Sequence, residues 1–175
     1  MKETKDELPG GINYFEIRSR LKIRTARRDD VAIIAKILAA TFAEYESLYT
    51  AEAFAAMTPG EEEIKKRFGE SGEIWVAALD GEIVGTVSVV HRNETLYIRS
   101  PAILPAARGL RIGKRLLRKT ENYAVAGGFK VLTLRTGAFL PRARQLYERF
   151  GFTRLGIDDF YGTWLIVMEK QLADS

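Results

Sequence analysis

A chain of 175 residues, 46% hydrophobic and 29% charged, has the length and balance of one globular domain with its own core. It holds no cysteine and one histidine, His91, which excludes disulfides, cysteine nucleophiles and thiolate or multi-histidine metal sites. The net charge of +4 is unevenly spread: Arg108, Arg111, Lys114, Arg115, Arg118 and Lys119 fall in one acid-free stretch, with Arg135, Arg142, Arg144 and Arg149 further on. Such patches suit a polyanion: nucleic acid, a membrane surface or a phosphate-bearing cofactor.

Residues 1–20 read as an N-terminal extension, partly flexible, because Pro9-Gly10-Gly11 breaks any regular element. Phe15 and Ile17 are its candidates for packing onto the rest. The start MKETKDELPGG has no apolar signal-peptide core, and no apolar run reaches the roughly 20 residues that span a bilayer. Cytoplasmic residence is the default expectation.

Residues 21–175 read as a single domain. Leu21–Thr25 alternates apolar and polar like a half-buried strand. Arg28-Asp29-Asp30 opens a helix whose apolar face is Val31, Ile34, Leu38, Thr41, Phe42 and Tyr45. Short helices follow over Ala51–Met57 and Glu61–Phe68. Ile74–Leu79 and Ile83–Val90 form a hairpin across Asp80-Gly81, and Leu96–Leu104 is the next strand. Gly109–Ala126 reads as a long helix stopped by Gly127-Gly128. A strand at Val131–Arg135, a helix at Pro141–Phe150 and strands at Phe152–Ile157 and Thr163–Lys170 complete the chain. The order predicts an α/β fold of the α+β type. Its sheet is mixed and mostly antiparallel, with six to seven strands and helices on both faces.

The chemistry concentrates between Ala102 and Leu117, where a strand ends at Pro105 and a basic, glycine-bearing loop opens the long helix. A helix N-terminus offers unpaired N–H groups and the positive end of its dipole, which together make an anion site. Gly109 and Gly113 let backbone approach a phosphate, and Arg108, Arg111 and Lys114 add charge. Two phosphate motifs fail on spacing. Gly109 and Gly113-Lys114 are separated by three residues and followed by Arg115, which breaks a Walker A loop. Gly109-Leu110-Arg111 breaks a dinucleotide fingerprint.

Arg108-Gly109-Leu110-Arg111-Ile112-Gly113 resembles the [Arg/Gln]-x-x-Gly-x-[Gly/Ala] signature of the GNAT superfamily of N-acetyltransferases. Ala143-Arg144-Gln145-Leu146-Tyr147-Glu148-Arg149-Phe150-Gly151-Phe152 is similar to that family's A-x-x-L-Y-x-x-x-G-F helix, at a suitable distance. The resemblance covers roughly residues 21–172. It departs at Arg111, where the family often has glycine, at Leu140, frequently asparagine, and at Tyr97, where many members carry a glutamate base.

The resemblance implies an acetyl-CoA-dependent N-acetyltransferase that uses no metal and moves acetyl to a primary amine of a small molecule or peptide. Ile103, Leu104, Arg108, Gly109, Leu110, Arg111, Ile112, Gly113 and Lys114 would bind acetyl-CoA. Tyr147 would return a proton to the thiolate, and Glu44, Glu46, Glu94 and Tyr97 stay open as the base. Phe42, Tyr45, Glu46 and Tyr97 would contact the acceptor. The aromatics around Thr41–Met57, interleaved with Glu44 and Glu46, suit a cationic amine or simply close the core. Proteins of this kind often pair through their last two strands, which leaves a homodimer open although the oligomeric state is not read from the sequence; no nucleic-acid or membrane partner is expected. A catalytically silent CoA-binding module is the competing reading.

Overall fold

The computed structural model describes residues 7–8 and 11–173. A two-stranded ribbon, β1 (Glu7–Leu8) with β2 (Ile12–Asn13), leads into helix α1 (Tyr14–Arg20). Asn13 caps α1 by accepting from the Phe15 N–H at 3.0 Å. Of the two apolar residues expected to pack from this segment, Ile17 is buried and Phe15 lies exposed. The first residues of the expected extension, 1–6, fall outside the described residues.

The domain is built on seven strands: β3 (Leu21–Thr25), β4 (Gly72–Leu79), β5 (Glu82–Arg92), β6 (Thr95–Ile103), β7 (Val131–Thr136), β8 (Thr153–Phe160) and β9 (Thr163–Gln171). They lie in the order β3-β4-β5-β6-β7-β9-β8, and every neighbouring pair is antiparallel except β6 with β7. The mixed, mostly antiparallel sheet anticipated from the element order is the one observed. Interior strand β4 buries five consecutive residues, Ile74 to Ala78, as a strand covered on both faces must.

Two cores follow from the period-2 alternation of the strands. On one face α2 (Val31–Phe42) and α4 (Glu61–Arg67) pack Ile34, Ile37, Leu38 and Ile64 onto Ile74, Val76 and Ala102. On the other, α5 (Ile112–Ala126) packs Ile112, Leu116 and Leu117 onto Trp75, Val87, Val89, Leu96 and Ile98. Helix α6 (Pro141–Arg149) adds Tyr147, and Phe150 at its end, to that second core. A 3-10 turn over Ala43–Leu48 and helix α3 (Ala51–Met57) link α2 to α4. At the start of α2 the buried Asp30 accepts two bonds from the Arg24 guanidinium, at 2.7 and 3.0 Å, and one from the Arg27 N–H at 2.7 Å. The Arg24 hydrogen bond leads in holding the Asp30 carboxyl below its ordinary range.

Two features position the site. Strands β6 and β7 are paired only from Thr95–Tyr97 to Val131–Thr133, then part, leaving the rest of β6 with a free edge. Between Thr86↔Ala102 and Ser88↔Arg99 one β5 residue faces two on β6, a bulge that bends the strand at Ser100-Pro101. Proline at that point forfeits no ladder bond to β7, since none is made there.

Candidate active site

The long helix starts at Ile112, three residues later than the sequence suggested. Gly109 has φ +83° and Arg111 φ +59°, and a left-handed backbone cannot continue into a right-handed helix. The left-handed turn at Arg111 explains why glycine suits that position, and it strains the arginine by about 1–2 kcal/mol. Among the described residues the N-cap Arg111 makes no side-chain cap bond, which leaves first-turn N–H groups of α5 facing the loop. Gly113 is needed for closeness: a Cβ there would meet Leu146 Cδ2 at 2.9 Å and Ile103 Cδ1 at 3.2 Å. The uncapped turn, the tight glycine and Lys114 fit a pyrophosphate.

The loop's arginines are partly committed. Arg108 Nη1 sits 2.6 Å from Glu44 Oε1 and ties the loop to the turn after α2. Arg111 stacks over the Tyr14 ring at 4.5 Å, which fastens α1 to the loop. The Leu104 N–H donates to Val84 O at 2.8 Å, so ladder alternation turns the Ile103 N–H and C=O away from β5 towards the gap. The Thr41 hydroxyl donates to that Ile103 oxygen at 3.1 Å.

A cavity of about 1550 Å³ runs through the gap between β6 and β7. It exceeds the 300–1,000 Å³ or so typical of small-ligand pockets. The loop, Ile103, Tyr147 and Tyr97 all line it. Tyr147 is buried, and among the described residues its hydroxyl has no hydrogen-bond partner. Burial drives its phenol well above the usual value, with smaller upward pushes from Tyr49 and Tyr97. Tyr49 is likewise pushed up to about 12 by burial, and its ring packs edge-on against Phe139 at 5.0 Å. Tyr97 lies under the Arg92 guanidinium at 4.1 Å and accepts a bond from Arg135 Nη1 at 3.4 Å.

The residues singled out from sequence distribute as follows. Ile103, Arg108, Gly109, Arg111, Ile112, Gly113, Lys114, Phe42, Tyr45, Tyr97 and Tyr147 line the cavity. Leu104 and Leu110 pack into the core beside it. Glu46 is exposed on the 3-10 turn and is not a lining residue. Glu44 is spent on Arg108, and the exposed Glu94 lends its backbone oxygen to the Lys130 N–H. The acidic wall that suited a cationic amine does not line the cavity: Glu44 is paired with Arg108, Glu46 is exposed, and the charged side chains around Tyr97 are arginines, with Asp159 the one acidic lining residue among the described residues. His91 sits at the end of β5, 2.9 Å from the Tyr123 hydroxyl, away from the cavity. Sequence reading missed Arg67, Arg92, Arg99 and Phe139 as lining residues, since each comes from a different element.

Residues 33–152 match the model of the acetyltransferase (GNAT) family. The chain belongs to the GNAT family. It is an acetyltransferase, and GNAT acetyltransferases bind acetyl-CoA and an acceptor. Among GNAT relatives, the uncharacterized N-acetyltransferase YhfO of Bacillus subtilis is 32% identical over 75% of this chain and 89% of its own length. N-acetylaspartate synthetase of Homo sapiens is 36% identical over 50% of this chain, a stretch that spans 30% of that protein. Among GNAT folds, the PaiA N-acetyltransferase from Thermoplasma acidophilum in complex with coenzyme A superposes with a TM-score of 0.74. That match has 17% identity and covers 87% of this chain and 99% of the other. No helix among the described residues is long and apolar enough to cross a membrane.

Proposed function

We propose that this protein transfers the acetyl group of acetyl-CoA directly to a primary amine of a small molecule or peptide, with donor and acceptor held together in the cleft. One observation carries the reading. The uncapped N-terminus of α5, the free edge of β6 at Ile103 and the buried Tyr147 share one cavity.

The first-turn N–H groups of α5 and Lys114 hold the pyrophosphate. The pantetheine arm lies along the free β6 edge as an added strand, bonding the backbone at Ile103. An N–H there polarises the thioester carbonyl. The amine nitrogen's lone pair forms the new C–N bond, the C–S bond breaks, and the Tyr147 O–H gives its proton to the leaving sulfur. A phenol whose pKa burial raises stays protonated across the neutral range, ready for that step. Of the four candidate bases Tyr97 alone lines the cavity, so the amine's proton leaves past Tyr97 through water.

The reading is tested by free-thiol release from acetyl-CoA against amino acids, polyamines, aminoglycosides and peptides, with calorimetry for coenzyme A. Release with some amine is expected. No release and no coenzyme A binding would overturn it.

A further inference from the structure

We infer that the acceptor is an amine that also bears carboxylate, of the amino-acid class, gripped by the arginines around Tyr97. The inference rests on the acetyl-transfer reading and names the substrate class of the same site.

Tyr97 and Arg99 on β6 and Arg135 on β7 share one sheet face, because Leu96, Ile98, Leu132 and Leu134 point to the other, into the α5 core. Arg67, at the end of α4, and Arg92, at the end of β5, line the same cavity. Two of these four arginines already have carboxylate partners. Arg135 is bound to Asp158, and Arg99 to Glu70 at 2.7 Å. The other two have none among the described residues. Arg92 rests on the Tyr97 ring, and the guanidinium of half-buried Arg67 makes no side-chain hydrogen bond or ion pair among the described residues, with Glu70 and Glu63 attracting it only from a distance.

A half-buried guanidinium without a partner is costly. Burial first, and the Arg99 charge second, push the Arg67 pKa down to about 10 against the smaller upward pulls of Glu70 and Glu63. Among the described residues the cavity is lined by nine basic side chains and one acidic one, Asp159. Asp159 is engaged with the Gly162 N–H at 2.8 Å. The basic residues of the Arg108–Lys114 loop lie where the pyrophosphate is expected, so Arg67 and Arg92, the two around Tyr97 with no paired carboxylate, are left for another anion. A carboxylate satisfies two forked guanidinium groups well, whereas a polyamine or aminoglycoside would meet like charge.

The test compares L-aspartate, its dimethyl ester and spermidine as acceptors, by thiol release and by calorimetry on the coenzyme A-loaded protein. Removing a charge-assisted contact of this kind costs roughly 10- to 100-fold. Aspartate should therefore exceed the ester in kcat/KM by about that factor, although the ester's amine is the more readily deprotonated. Arg67→Gln and Arg92→Gln should raise the KM for aspartate while leaving coenzyme A affinity unchanged. Preference for spermidine or the ester, in turnover or in binding, overturns the inference and leaves acetyl transfer standing. Arginine variants that weaken coenzyme A and spare the acceptor overturn it too. Loss of coenzyme A binding in the unmutated protein would instead sink the acetyl-transfer reading itself.

Discussion

The loop between β6 and α5 offers its ligand backbone, whereas the face around Tyr97 offers side chains. In the loop, two left-handed residues lead into a helix turn whose N-cap side chain makes no capping bond, and the nearest arginines are diverted to Glu44 and Tyr14. Around Tyr97, arginines from α4, β5, β6 and β7 line the same cavity. The lesson concerns what each half can tolerate. A backbone site survives side-chain change wherever φ and close packing are kept. A side-chain site changes its ligand with each substitution. The first suits a constant donor, the second a variable acceptor.

The largest effect that would sharpen this contrast lies where the halves meet. Tyr147→Phe is expected to lower kcat by about 100-fold, the lower range for a lost general acid, with the coenzyme A dissociation constant unchanged. An unaltered kcat in stopped-time assays would remove Tyr147 from the chemistry. Next come the roughly 10- to 100-fold acceptor effects of the arginine variants described above.

A third prediction concerns the brace of α2, which carries Thr41 and Phe42 to the cleft. Asp30→Asn should cost about 2 kcal/mol in urea unfolding at neutral pH, because two charge-assisted bonds from Arg24 are weakened. The folded state lowers the Asp30 pKa, so its contribution is present above the ordinary carboxylate value and is lost as pH falls through the depressed one. The gap between wild type and variant should therefore close below about pH 4. A gap that widens in acid would contradict the ion pair.

A fourth runs the other way. Replacing Arg67 by leucine should stabilise the fold by about 1 kcal/mol, read as a Tm rise of roughly 2–4 °C, since an unpaired cation is relieved. A drop in Tm would mean that Arg67 is a structural residue. The smallest effect is expected at Arg111→Gly. Relief of the left-handed backbone is offset by loss of the Tyr14 stacking, leaving stability within about 1 kcal/mol of wild type.

Much of the fold was legible because its signals are local. The alternation of Leu21–Thr25, the Asp80-Gly81 turn and the apolar stripe of α5 each name their element within a few residues. Helix α1 was missed because Pro9-Gly10-Gly11 outweighed the quieter signal at Asn13, whose side chain is the cap. The early start given to α5 failed because a basic run reads as helix until φ is known at Gly109 and Arg111.

The sequence by itself determined the element order from Leu21 onward and the sheet class, since hydrophobic period and turn residues act over short spans of chain. The tertiary structure decided the character of the face around Tyr97, the proposed acceptor side. Glu44 is held by Arg108, more than sixty residues away in the sequence. The gathering of Arg67, Arg92, Arg99 and Arg135 around one tyrosine depended on how far β6 parts from β7. Charge in a cleft is a sum over elements remote in sequence, and only the packed sheet performs that sum.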